Sequence, residues 1–303
     1  MKRKKKNLVC RIKDFVFEKQ NTKERKFIKI LGIKIKEKKY TPQETVSRFF
    51  GIPYKRKAVI IPPKKPKTIT MEQMFMTISC AEQHKQVFPQ FKNINLGKDV
   101  VIIGTGPTLS LYEPIKNAVN IGLNRAYQFK KTKMDYLFMI DGTATKDFID
   151  EIDKMQDVKK FYGLHFLNET FRPGFRLPEY HLLHKNTFRF YCSPYRNKTI
   201  RTDISTWPLY QMGSSAFPAL HFALWTHPKR IFLVGCDTNS APYWDGAERK
   251  EEYVAIQDQV NQWMVDGYIR MKEFAEICYP DVEIISINPV GLKGIFTDIY
   301  TGD

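Results

Sequence analysis

Residues 98–125 read KDVVIIGTGPTLSLYEPIKNAVNIGLNR. Val100 to Ile103 are all β-branched and run directly into Gly104-Thr105-Gly106-Pro107-Thr108-Leu109. A short buried strand is therefore expected to break into a glycine-bearing turn and then a helix. That succession opens a nucleotide-binding α/β unit. Gly104 and Gly106 lack a Cβ, so backbone N–H groups there can approach a phosphate closely, and a following helix aims its partly positive N-terminus at the same place. A second apolar segment, Asn120 to Leu123, ends in Asn124-Arg125, and ligand crevices of open parallel sheets lie at such C-terminal strand ends. The stretch departs from both full phosphate-binding fingerprints, because position 109 is Leu and no Lys-Ser or Lys-Thr follows. A tight strand-to-helix turn without any ligand satisfies the same residues.

With 303 residues, 43% of them hydrophobic, the chain has material for one full domain plus an appendage. No run approaches the roughly 18 apolar residues that span a bilayer, and the opening Met1-Lys2-Arg3-Lys4-Lys5-Lys6 is not followed by an apolar signal-peptide core, so export is not expected. Cys10, Cys80, Cys192, Cys236 and Cys278 are odd in number, widely spaced and without C-x-x-C, which reads as reduced thiols rather than a disulfide framework or a zinc site.

The net charge of +17 is confined to one end. Through Lys67 the chain holds 23 Lys/Arg against 5 Asp/Glu, a net of +18, and the remainder holds 26 against 27, a net of −1. The body is electrically ordinary, which argues against a nucleic-acid enzyme whose groove would need the charge. Within the basic end, Lys26 to Lys36 alternates lysines with apolar residues around Leu31-Gly32, the pattern of a small hairpin with one apolar and one lysine face. Such a ribbon suits an anionic membrane, each lysine near the surface being worth about 1 kcal/mol; a solvated basic tail is the competing reading. Ile52-Pro53 and Ile61 to Lys67, rich in proline, mark a linker. The expected organisation is thus a basic appendage with its linker over 1–67 and a nucleotide-sugar-binding, Rossmann-like domain over 68–303.

Within that domain Thr70 caps a helix running from Met71 towards Phe88, whose Met74, Phe75, Ile78 and Cys80 recur at helical spacing and read as core. Tyr136 to Ile140 forms a strand ending in Asp141-Gly142-Thr143, Asp147 to Met155 a helix, and Lys159 to Tyr162 a short strand. Residues 168–207 read as an irregular insert carrying His181 and His184. Gly213-Ser214-Ser215 begins an apolar helix that Pro228 stops, and Ile231 to Val234 is a buried strand leading to Gly235-Cys236-Asp237-Thr238. Glu248 to Cys278 is mostly helical and Val282 to Ile287 is the last strand. Strands alternating with helices predict an α/β fold with a doubly wound, mostly parallel sheet.

Thr105, Asn124, Arg125, Asp141, Thr143, Asp237 and Thr238 fall at strand ends. Together they suit a nucleotide, with amides for phosphate, Asn for a ring edge or ribose and a carboxylate for a sugar hydroxyl. Ser214 and Ser215 serve equally as helix caps or as ribose and phosphate ligands. The chain contains no D-x-D, the acidic pair that many nucleotide-sugar enzymes use to hold a divalent ion. A donor with a single phosphate needs less charge neutralisation, so no metal site and no cofactor is expected beyond the nucleotide-sugar donor itself.

The order of these motifs, from Val100 to Trp244, resembles that of bacterial sialyltransferases of glycosyltransferase family 42, and also the Maf group of flagellin-glycosylation accessory factors. Lys29 to Lys36, with the residues around it, is similar to the basic leader found ahead of several lipopolysaccharide and capsule glycosyltransferases of Gram-negative bacteria. The resemblance implies inverting, metal-independent transfer of a CMP-activated nine-carbon acidic sugar; with the basic leader and the nucleotide-type βα unit, a lipid-linked or lipooligosaccharide acceptor is expected. Carried over, it puts Gly104, Thr105, Gly106, Pro107 and Thr108 at the donor phosphate and Asn124 with Arg125 at the nucleotide. Asp141, Gly142, Thr143, Gly213, Ser214, Ser215 and Thr238 fall near the donor, and Tyr243 takes the place of a tyrosine on the leaving phosphate.

The chain departs from that family in one important respect. The sialyltransferases place a general-base histidine after the Asp237 strand, and here the last histidine, His227, comes before it. A base is needed because the acceptor hydroxyl loses its proton as it attacks. Asp141, Asp237 and Asp245 are the carboxylate candidates, with His165, His181 and His184 as alternatives. The expected protein is a cytoplasmic glycosyltransferase, peripheral at the inner face of the inner membrane through residues 1–67. A diphosphokinase-like phosphotransferase and a non-catalytic nucleotide-binding accessory protein are the rival readings.

Overall fold

A computed structural model describes residues 17–21, 25–30, 33–40, 44–49, 52–58, 71–140, 148–165, 185–194, 199–239, 241–248 and 257–301. The chain divides into two compact units, Met1–Thr68 and Ile69–Asp303. The first is an antiparallel meander of β1 (Phe17–Asn21), β2 (Arg25–Ile30), β3 (Ile33–Tyr40), β4 (Glu44–Phe49) and β5 (Ile52–Ala58). The expected hairpin is its β2–β3 pair, closed by Ile30 opposite Ile33. Ile52-Pro53, read as linker, instead opens β5, which pairs only with β4. Proline has no N–H to give to a ladder and is tolerated on such an edge. Ile61 to Lys67 lies outside the described residues.

The second unit is an eight-stranded sheet in the order β10-β9-β8-β7-β6-β11-β12-β13, with every pair parallel. It contains helix α1 (Met71–Val87), β6 (Asp99–Ile103), β7 (Val119–Leu123), β8 (Tyr136–Met139), α2 (Ile149–Asp153), β9 (Lys159–His165) and β10 (Thr187–Cys192). There follow α3 (Ala216–Trp225), β11 (Arg230–Val234), α4 (Gln257–Cys278), β12 (Glu283–Ile287) and β13 (Thr297–Ile299). The fold is α/β and Rossmann-like. Strand order runs outward in opposite directions from β6 and from β11, so the switch point falls between these two, where a crevice opens at the carboxyl ends.

Both faces of the sheet are buried, which is why its central strands read as unbroken apolar runs. Val100, Ile102, Ile121, Phe138, Phe161, Ile231 and Leu233 line one face beneath α1 and α3, while Val101, Ile103, Leu137, Met139, Phe232 and Val234 line the other. All ten residues of α3 are buried. Its Phe222 meets the rings of Phe88, Phe91, Tyr136, Phe138 and Phe161 at centroid separations of 5.1–6.2 Å.

The structure corrects four expectations. Strand β10 lies inside the stretch read as an irregular insert: its Thr187–Cys192 register is supplied by β9, with Phe190 buried and Arg189 half-buried. Strand β13 has three residues, too few for a periodic signal. The turn after β6 leads not into an α-helix but into a single 3-10 stretch, Pro107–Leu111. On α1, Cys80, His84 and Val87 are buried as core, but Met74, Phe75 and Ile78 are 48%, 69% and 57% exposed.

Candidate functional site

The glycine turn expected to cradle a phosphate is closed by the protein itself. Gly104 N–H donates to the Val234 carbonyl at 2.7 Å, Gly106 N–H to the Gly235 carbonyl at 2.8 Å, and Thr108 N–H to Asp237 Oδ2 at 3.0 Å. Thr108 Oγ1 adds hydrogen bonds of 2.9 Å to both Asp237 oxygens. The reason for the two glycines is therefore visible: a Cβ on Gly104 would stand 2.2 Å from the Gly235 carbonyl oxygen, and one on Gly106 would stand 2.2 Å from Asp237 Oδ2. They let the β6 and β11 turns touch backbone to backbone. The Asp237 carboxylate sits at the start of the 3-10 stretch, where a phosphate was expected, and no α-helix aims a dipole there.

Beside this closed turn, the end of β7 and the start of α3 meet. Asn124 has a left-handed backbone, φ +49°, a conformation Asn tolerates better than most residues. Its Oδ1 accepts a 3.1 Å hydrogen bond from Ser215 Oγ. Ser214 Oγ instead accepts the Ala216 N–H at 3.2 Å, satisfying the first amide of α3, which leaves the buried Ser215 hydroxyl for Asn124. Gly213, with φ +86°, makes the turn into the helix, and its N–H is held by Gln211 Oε1 at 2.9 Å.

Two neutral histidines hold the approach to this turn. His84 donates from Nδ1 to the Ile204 and Trp207 carbonyls (2.8 and 2.9 Å) and accepts the Tyr191 N–H at Nε2 (2.7 Å). His221 on α3 is the opposite tautomer, accepting the Tyr210 N–H at Nδ1 (3.0 Å) and donating from Nε2 to the Arg201 carbonyl (2.7 Å). Burial pushes both imidazoles down to about 4. With both ring nitrogens occupied inside the core, neither serves as a base. His227 pairs with Asp281 at 2.7 Å near the amino ends of the strands, away from the crevice.

The loop after β11 folds over the β7 end. Arg125 pairs with Asp245, bonds Gln128 Oε1 at 3.2 Å and lies over the Tyr243 and Trp244 rings at 5.3 and 5.2 Å. Trp244 N–H reaches the Thr105 carbonyl at 3.3 Å. The partnership of Trp244 was not read from sequence, although its place beside Tyr243 and Asp245 in a polar loop signals it. Thr238 packs against the loop after β12: its N–H bonds the Val290 carbonyl at 3.1 Å, and its buried hydroxyl lies beside Gly291.

The structure thus brings together Asn124 with Ser215, Gly104, Gly106 and Thr108 with Asp237, and Arg125 with Tyr243 and Asp245. Asp141, Gly142 and Thr143 lie outside the described residues, as do His181 and His184. Of the described base candidates, the Asp237 oxygens are engaged by Thr108 and an Asp245 oxygen by Arg125. Among the described residues no three His, Cys, Asp or Glu side chains converge, and no helix is long and apolar enough to cross a membrane. A separate cleft of about 460 Å³, lined by Lys272, Glu276, Tyr279, Glu283, Phe296 and Thr297, opens at the strands' amino ends. No family model matches the chain, and no curated protein or solved structure shows significant similarity to it.

Proposed function

We propose that the second unit binds a nucleotide sugar at the carboxyl edge of the sheet and transfers the sugar, without a metal, to a lipid-linked or lipooligosaccharide acceptor. The observation that carries the reading is the Asn124–Ser215 pair beside the switch point. Beyond the hydrogen bond they share, an amide and a hydroxyl at that edge retain both donor and acceptor capacity, the complement that a base edge or a ribose offers. The motif order resembling family 42 sialyltransferases favours a CMP-linked nonulosonic acid as donor, and the lack of D-x-D favours a single donor phosphate. The basic residues 1–67 fit an enzyme stationed at an anionic membrane, facing the cytoplasm.

Calorimetric titration with CMP, CDP, UDP, GDP and ATP, with and without Mg²⁺, tests this. CMP binding without Mg²⁺, weakened by Asn124→Ala, is the expected result; ATP binding that requires Mg²⁺ would replace it with phosphoryl transfer, and no binding would remove it. A rival reading, a nucleotide-binding accessory protein without turnover, is favoured by the engagement of Asp237 and Asp245 by neighbours. Tight nucleotide binding with neither transfer nor donor hydrolysis decides for it.

A further inference from the structure

The exposed side of α1 carries a row of large apolar side chains that the nucleotide reading leaves unused. Met74, Phe75 and Ile78 fall within an arc of about 100° on the helix, and they are 48%, 69% and 57% exposed. The other side of the helix is anchored in the core by Cys80, His84 and Val87, so these three side chains are held outward. Scattered apolar residues on a surface are ordinary, but three large ones adjacent on a single helix face mark an interaction site. Charge selects the partner. Met71 opens the helix four residues beyond Lys67, and the chain through Lys67 carries a net charge of +18. A surface that attracts both a strongly basic segment and a short row of Met, Phe and Ile is an anionic bilayer, with headgroups for the lysines and an acyl boundary for the apolar side chains.

We propose that Met74, Phe75 and Ile78 insert into the headgroup–acyl boundary of an anionic membrane, adding an apolar hold to the electrostatic one of residues 1–67. Lysine attraction alone falls away within a Debye length, about 3 Å at 1 M salt, whereas apolar insertion persists. The inference rests on the membrane-facing reading of the basic segment but not on nucleotide chemistry.

Co-sedimentation of the full chain with phosphatidylcholine vesicles, with and without phosphatidylglycerol, tests it at low and high salt. The expected result is binding to the anionic vesicles that survives in part at high salt. Phe75→Ser/Ile78→Ser should lower the partition by about 10- to 100-fold, since each large side chain partly withdrawn from the boundary costs about three- to tenfold. Both positions are exposed, and an unchanged thermal midpoint would confirm that the variant folds. Absence of wild-type binding to anionic vesicles overturns this inference together with the role given to residues 1–67. Binding that the double variant keeps in full, or that vanishes at high salt in the wild type, overturns the α1 insertion alone. A dimer that the double variant dissociates, with vesicle binding unchanged, assigns the face to a second copy and likewise overturns it.

Discussion

Two turns flank the crevice, and they are held in opposite ways. The turn after β6 is locked by contacts of its own: Gly104 and Gly106 lie against the β11 turn, and Thr108 lies against the Asp237 carboxylate. The turn before α3 is held from behind, by two neutral imidazoles that clamp residues 201–210, and presents Ser215 to Asn124 in front. In sequence the β6 turn has the character of a ligand cradle, yet the Gly104, Gly106 and Thr108 amides are taken up by packing. The α3 turn has the character of an ordinary cap, yet it keeps polar groups at the crevice. Glycine by itself signals close approach, and the approaching group can be the protein's own backbone as readily as a phosphate.

Acid should break the α3 turn most severely. His84 and His221 are buried neutral, with pKa values lowered to about 4 from an ordinary 6.5. Protonation therefore favours the unfolded chain: their contribution is fully present above pH 6.5 and is lost as pH falls towards 4. Each is worth roughly 3 kcal/mol over that window. Each added proton would also face a backbone N–H, from Tyr191 or Tyr210. Denaturant titrations at pH 7 and pH 4.5 measure this, and equal stability at the two would refute the clamp.

On the β6 turn, Gly104→Ala should cost about 3 kcal/mol in the same titration, because its Cβ meets a carbonyl oxygen that cannot swing aside. Gly106→Ala meets a side chain instead and should cost about 1–2 kcal/mol, less than additively with Asp237→Ala since the two share one contact. Nucleotide affinity should stay unchanged in Gly106→Ala. Lost affinity at full stability would return the turn to the role of phosphate cradle. The smallest effect on the fold belongs to Asn124→Ala, about 1 kcal/mol from one hydrogen bond and a left-handed backbone. That same variant should weaken CMP about tenfold, a factor equivalent to about 1.4 kcal/mol; unchanged affinity would leave the pair purely structural.

The architecture was legible where burial on both faces writes itself as an apolar run, as in Val100–Ile103 and Ile231–Val234. It was illegible at β10, where Arg189 interrupts the pattern of an edge strand and the register comes from β9, distant in sequence. The α1 stripe shows a limit of periodicity, since Met74, Phe75, Ile78 and Cys80 have helical spacing but only Cys80 among them is buried. Spacing puts residues on a helix; it does not say which face meets the neighbouring layer, and here that face is the one of Cys80, His84 and Val87, opposite Met74, Phe75 and Ile78. Similarly, Asn124 and Ser215 each sit at a predicted strand or helix end, but their hydrogen bond joins residues 91 positions apart.

By itself the sequence determined the alternation of strands and helices, the parallel sheet and the separation of a basic end from a neutral body. Those follow from local patterning of apolar and charged residues. Only the tertiary structure decided which amides are occupied, which hydroxyl reaches Asn124, and that Asp237 fills the turn where an anion was expected. The physical reason is that hydrogen-bond satisfaction is a property of the whole packed chain: each buried N–H must find a partner, and that partner is chosen by whichever distant segment folding brings within about 3 Å.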